Sequence, residues 1–243
     1  MRAGGRIEAC LFFALVAAAP LVAADWPMWR HDAGRSGQSP QVLADELHLL
    51  WTSEQRAMVP AFNQVRQQRL QFDRGHEPIV AGKTLLIGSS ANDSLVALDT
   101  ETGARRWQFF ADGPIRLAPA AADGRAYVGS DDGCLYCLEL KTGDVIWKRR
   151  VAPSSRKVLG NGRMISVWPV RGGPVVQDGV VYAAAGVWPF EGIFVAAFDA
   201  RDGSVRWYND RTGSLYLVHP HNAEAFGGPS PQGYLLLHQG KLV

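Results

Sequence analysis

Cysteine is nearly absent from this chain: there are three in 243 residues, Cys10, Cys134 and Cys137. So few exclude a disulfide-built scaffold, which needs several pairs. Net charge is equally scarce, +2 at pH 7 from 25 Lys and Arg against 23 Asp and Glu. A nucleic-acid binder would carry a basic footprint, and none is visible. After the first residues no apolar run approaches the roughly 20 residues of a membrane span. No histidine follows Cys137, which excludes a c-type haem site, and no two cysteines are adjacent. Glycine and tryptophan, in contrast, are plentiful at 26 and 8 residues.

The N-terminus reads as a signal peptide, 1–24. Arg2 and Arg6 form a basic start, 10–19 is a short apolar run, and Val22-Ala23-Ala24 offers small residues to a signal peptidase. Pro20 and the shortness of the run argue against a retained anchor. Cys10 lies before the apolar core, badly placed for lipid attachment. The mature chain is therefore expected to be exported, to the periplasm or cell envelope, with no membrane span after cleavage.

One frame recurs three times: small residue, apolar, acid, three residues, Gly, three residues, Trp. Its copies are 97–107 (Ala97, Asp99, Gly103, Trp107), 137–147 (Cys137, Glu139, Gly143, Trp147) and 197–207 (Ala197, Asp199, Gly203, Trp207). Three copies in register announce a repeat architecture. Short β-branched or aromatic runs broken by glycine turns precede each copy, giving four strands per repeat. The expected fold is all-β, a β-propeller of four-stranded antiparallel blades. About three blades and the start of a fourth are visible (77–117, 118–171, 172–228, 229–243), so the chain reads as an incomplete fragment. In each frame the glycine suits a positive-φ turn, the acid accepts from that turn's backbone, and the Trp wedges between blades with an N–H seeking a partner.

The lead-in, 25–76, is irregular at first and pinned by Trp26 and Trp29. Its segment 46–52 reads as an orphan strand, with Trp51 as a repeat Trp lacking its frame, able to complete a final blade and close the ring. The stretch 61–70 lacks Gly and Pro and is expected to be a short helix. Cys134 and Cys137 fall in one strand, where residues three apart point to opposite faces. Cys137 also takes the place of Ala97 and Ala197, so both read as small core residues.

The frame resembles the Trp-docking motif of the pyrroloquinoline quinone (PQQ) repeat propellers, a PQQ- or WD40-like fold. Ala97, Asp99, Thr102, Gly103 and Trp107 match it, with Ala104 where Lys is usual. The second copy departs at Cys137 and Glu139, the third at Asp202. The resemblance runs from Glu77 to the end. Its superfamily includes quinoprotein alcohol dehydrogenases, outer-membrane assembly lipoproteins and exported bacterial proteins of unknown role, and the long inserts here look most like the last. The family's enzymes use PQQ with Ca²⁺ held by carboxylate and amide side chains, an Asp base and often adjacent cysteines. Here no base or calcium set is assignable; Glu191 and Asn222 come nearest.

The register also sorts the connections. The first and third turns of each blade are tight, whereas the long inserts (53–77, 152–171, 187–193, 209–228) all emerge on the opposite face. Repeat proteins usually bind on the face that carries their inserts. That face would present Arg74, His76, Arg116, Arg163, Trp168, Arg171, Trp188, Glu191, His219 and His221. Arg116, Trp168, Arg171 and Trp188 are the ligand-binding candidates, through fork-shaped donors and stacking. The same residues would also serve to hold their own loops together. His219 and His221 have weak metal spacing and no acid-rich partner, so no metal site and no catalytic residue is assigned. The reading favours an exported, non-catalytic binding or scaffold module of the cell envelope, meeting an envelope protein or small ligand on the insert face. The alternative is a PQQ-dependent alcohol or sugar dehydrogenase with its remaining blades beyond Val243.

Overall fold

Short extended runs joined by tight turns pair most readily with their chain neighbours, and the strands within each blade follow that order. A computed structural model describes residues 25–62, 73–160, 162–211, 215–220 and 222–243. The signal peptide and nearly all of the expected helix at 61–70 lie outside the described residues. The first blade is β1 (Ile79–Ala81), β2 (Thr84–Ser89), β3 (Ser94–Asp99) and β4 (Arg105–Phe110), antiparallel and in chain order. The second is β5 (Ala120–Ala122), β6 (Arg125–Gly129), β7 (Cys134–Glu139) and β8 (Val145–Arg150), arranged alike.

Between the second and third blades stands a hairpin, β9 (Lys157–Gly160) with β10 (Arg163–Ser166). The third blade is β11 (Val170–Gln177), β12 (Val180–Ala185), β13 (Phe194–Asp199) and β14 (Val205–Asn209), with a 3-10 turn, Pro189–Glu191, between β12 and β13. A second hairpin follows, β15 (Leu215–Val218) with β16 (Glu224–Gly227). The fourth unit is short. It is β17 (Gly233–Tyr234), parallel to β11, then the short hairpin of β18 (Leu237–His238) and β19 (Lys241–Leu242).

The architecture is all-β and that of a propeller. Its core lies between blades, because the third strand of each blade is buried on both faces while the fourth is largely exposed. One apolar cluster joins blades one and two through Leu86, Leu95, Val128 and Leu138. Another joins blades two and three through Tyr127, Leu135, Val175 and Phe198. Cys134 belongs to the first cluster and Cys137 to the second, so both are buried free thiols on opposite faces of β7.

The repeat tryptophans bind forward. The Trp107 Nε1–H donates to the Leu140 carbonyl at 3.0 Å, and that of Trp147 to the Ala200 carbonyl at 3.3 Å. Each ring lies over the next blade's turn glycine. A Cβ on Gly143 (φ +80°) would sit 2.6 Å from the Trp107 ring, and one on Gly203 (φ +71°) 2.7 Å from that of Trp147. Trp51 does the same to blade one, donating to the Thr100 carbonyl at 2.9 Å and covering Gly103. It stands where the outer-strand Trp of a preceding blade would. The segment around it, however, is not the strand expected at 46–52. A strand needs a neighbour for its ladder, and the indole alone fixes this stretch.

A bulge repeats with the Trp. Ala97 faces Trp107 while Leu98 faces Arg105, which leaves Arg106 as the extra residue. The same shift isolates Ile146 in blade two and Arg206 in blade three. A bulge re-aims its residue, and Arg106 turns back to Asp99 at 2.6 Å, as Arg206 does to Asp199 at 2.5 Å. Asp99 Oδ1 also accepts from the backbone N–H groups of Glu101 and Thr102. Blade two has Glu139 and Ile146 at these places, and its turn is braced instead by the Thr142 hydroxyl donating to Asp144.

The lead-in crosses the inner strands of all three blades. Trp26 bridges Val80, Pro27 accepts from the Ala121 N–H at 2.7 Å, and Arg35 donates to the Pro174 carbonyl at 3.0 Å. Arg35 also donates to the Leu235 and Trp29 carbonyls. Trp29 stacks on Tyr234, with centroids 4.2 Å apart. The Tyr234 hydroxyl donates to the Glu77 carboxylate and accepts from the Ala118 N–H.

Candidate functional site

Three of the four long inserts meet at one cleft of about 670 Å³. Ala61 and Phe62 come from the first, Val158 to Arg171 from the second, Val187 to Glu191 from the third. Arg116, Arg171 and Trp188 all line it. Trp168 lies in an adjoining recess of about 380 Å³, which shares Val158, Val167 and Glu191 with the cleft lining.

The two arginines form the floor, and neither guanidinium is open. Arg116 and Arg171 are each about 4% exposed at the side chain. The Arg116 Nε–H donates to Asp131 Oδ2 at 2.6 Å, and its Nη1 to Asp73 Oδ2 at 2.7 Å and the Val59 carbonyl at 2.6 Å. Arg171 holds the same Asp131 from the other side. Burial opposes ionisation of Asp131, but the charges of Arg171 and Arg116 and their hydrogen bonds outweigh it and hold the carboxyl below its usual range. Two carboxylates therefore face two guanidiniums. Asp131 comes from the β6–β7 turn and Asp73 from the end of the first insert, so the network ties insert to ring.

Trp168 is also committed. Its Nε1–H donates to the Glu191 carbonyl at 2.6 Å, and its ring meets Phe194 edge to face at 5.9 Å. It fixes the 3-10 turn from below. That turn then displays Trp188 and Phe190, which stack on one another and stay exposed by 42% and 59%. Phe62 meets Trp188 edge-on across the cleft and lies under the Arg171 guanidinium. Glu191 is partly buried, which raises its carboxyl, with Arg156 opposing.

Of the other expected residues, Arg163 ties its hairpin to blade one through the Ser90 carbonyl at 2.8 Å and Asp93 at 2.5 Å. His76 is held between the Gly88 and Arg56 carbonyls. Arg74 is exposed, and His219 and Asn222 shape the β15–β16 turn. His221 lies outside the described residues. Sequence reasoning missed Asp73 and Asp131, the anions that occupy the arginines.

PQQ is a planar quinone bearing several carboxylates, and it needs free cations and a metal-holding set of acids and amides. The described residues do not fit it. Both cleft guanidiniums are neutralised by carboxylates. Among the described residues no three His, Cys, Asp or Glu converge.

The chain matches a family model described as outer membrane protein assembly factor BamB over residues 27–207 and 119–243. It is 32% identical over 180 residues to the outer membrane protein assembly factor BamB of Yersinia pestis, across 68% of this chain and 43% of that protein. It is 28% identical over 152 residues to the dehydrogenase subunit of the quinone alcohol dehydrogenase of Gluconobacter oxydans, across 57% of this chain and 19% of that one. Among solved structures it resembles a europium-containing methanol dehydrogenase, with TM-score 0.57 and 19% identity, across 78% of this chain and 32% of that one. That likeness concerns the fold. The chain spans less than half the length of these relatives.

Proposed function

The chain belongs to the family of the outer membrane protein assembly factor BamB, and on that premise we propose that it is an exported, non-catalytic propeller that binds other proteins of the cell envelope through its insert face. The observation that carries this is where the unsatisfied surface lies. The arginines of the cleft are buried and paired, whereas apolar side chains on three inserts stand in solvent: Leu159 and Met164, Trp188 and Phe190, Tyr216 and Phe226. Exposed apolar clusters rimmed by polar residues mark protein contact surfaces, and aromatics and Met are enriched in such interfaces. A leader at 1–24 suits export. Among the described residues no helix is long and apolar enough to cross a membrane.

The dehydrogenase alternative has the fold in its favour but not the donor set. Two measurements separate the readings. A photo-crosslinking residue at Phe190 or Tyr216 should give discrete protein adducts in intact envelopes, and PQQ with Ca²⁺ should produce no dye-reducing activity. Dye reduction on adding the cofactor, or the absence of any adduct, overturns the proposal.

A further inference from the structure

Within the binding-module reading, which this inference rests on, we propose that the cleft takes an extended peptide segment of a partner protein. The segment seats one large apolar or aromatic side chain beside Trp188 and places a carboxylate on Arg156 and Lys157.

Two observations set that chemistry. First, the cleft walls next to Trp188 are apolar, formed by Phe62, Ile165 and Val187, over a floor whose charges cancel. A dry, charge-balanced recess accepts an apolar side chain and rejects an isolated charge. Trp188 is held in place by the Trp168-braced turn, so the recess is formed before anything enters. Second, the adjoining recess ends at Arg156 and Lys157, both exposed, and neither makes an ion pair with a described residue. Glu191 lines the same recess and Arg156 favours its charged form, so one acid stands there against two cations. Asp112 is bound to Lys148 at 2.9 Å. One recess is thus apolar-walled and its neighbour cationic, and the two share Val158, Val167 and Glu191. An apolar anchor adjoining an acid matches both at once. A basic segment would be repelled at the second.

Fluorescence anisotropy with the full chain and short labelled peptides tests this. The probe carries one phenylalanine followed by two aspartates. Its controls replace the aspartates with lysines, or the phenylalanine with serine. The acidic phenylalanine peptide should bind, and both controls should bind roughly tenfold more weakly or not at all. Trp188→Ala should cost about tenfold. The pair Arg156→Glu with Lys157→Glu should weaken binding several-fold, and the loss should shrink as salt is raised. Those two positions are exposed, so their reversal leaves the core intact even if the Trp188 variant folds poorly. Equal binding of the lysine peptide, no binding of the acidic one, or no response to the charge reversal overturns the proposal. Envelope adducts from Phe190 or Tyr216 that persist in both variants overturn the groove alone. The loss of adducts in the unaltered chain is what removes the broader reading.

Discussion

Arg171 grips Asp131 with a two-pronged fork: Nε donates to Oδ1 and Nη2 to Oδ2, each at 3.1 Å, around a carboxylate that is 1% exposed at the side chain. Arg116 holds the same group from the connection that leads into β5. Removing one partner strands a buried charge, which costs about 3–5 kcal/mol. Arg171→Leu and Asp131→Asn should each lower the denaturant midpoint by that order. The double variant should lose less than their sum, since both break one contact. Additive losses would show that the two residues do not act together.

The docking tryptophans should rank by what they cover. Trp147 is buried and its Ala variant should lose about 3–5 kcal/mol. Trp147→Phe keeps the bulk and drops the N–H to the Ala200 carbonyl, a loss of about 1 kcal/mol. Trp207 is 40% exposed, and among the described residues no turn glycine lies beneath it. Trp207→Ala in this chain should therefore cost the least of the series by thermal melting.

Two glycines separate backbone strain from crowding. Gly124 has φ +72° with open space where a Cβ would point, and Gly143 has φ +80° with the Trp107 ring 2.6 Å away. Gly124→Ala should cost about 1–2 kcal/mol, from the left-handed backbone alone. Gly143→Ala should cost clearly more, and Trp107→Ala in the same chain should abolish the excess.

Glu77 sets a pH dependence of unusual sign. Burial pushes its carboxyl up from 4.5 to about 7, opposed by the Ala118 N–H and reinforced by Asp73. Between those two values the folded chain holds a proton that the unfolded chain has lost, so stability falls as pH rises from about 4.5 through 7. Asp131, held low, acts in the opposite sense and loses its contribution only in strong acid. Glu77→Gln should flatten the stability curve between pH 5 and 7 in denaturant titrations. An unchanged slope would assign it to another group.

The blade pattern was legible because it is local. Strand period, glycine turns and the frame of Asp99, Gly103 and Trp107 are read within a dozen residues, and the sheets of the first two blades follow that reading closely. Three things escaped. The orphan strand around Trp51 kept its indole contact but not its ladder, since pairing depends on a neighbour rather than on propensity. The bulge carried a signal that went unused: an arginine seven residues after the acid in the first and third copies, Arg106 and Arg206, missing together with the aspartate in the second. The cleft arginines were singled out, yet their partners were not seen. Asp131 sits in an ordinary turn sequence, Ser130-Asp131-Asp132-Gly133, and Asp73 reaches Arg116 across 43 residues of chain. Such pairings arise only when the blades have stacked. The hairpin β9–β10 had a local sign in the asparagine-glycine pair at 161–162, flanked by apolar residues.

Trp51, Trp107 and Trp147 each cover the turn glycine of the unit that follows. Each blade thus carries a plug on its outer strand and a socket in the turn before it, and the two seams between the three blades share this joint. A gene segment encoding one such unit, copied and inserted at a boundary, would meet a socket ahead and a plug behind without a single compensating substitution. Growth by whole blades is thus built into the way the tryptophan joints are made, and the long inserts, which take no part in those tryptophan contacts, are free to diverge from one copy to the next.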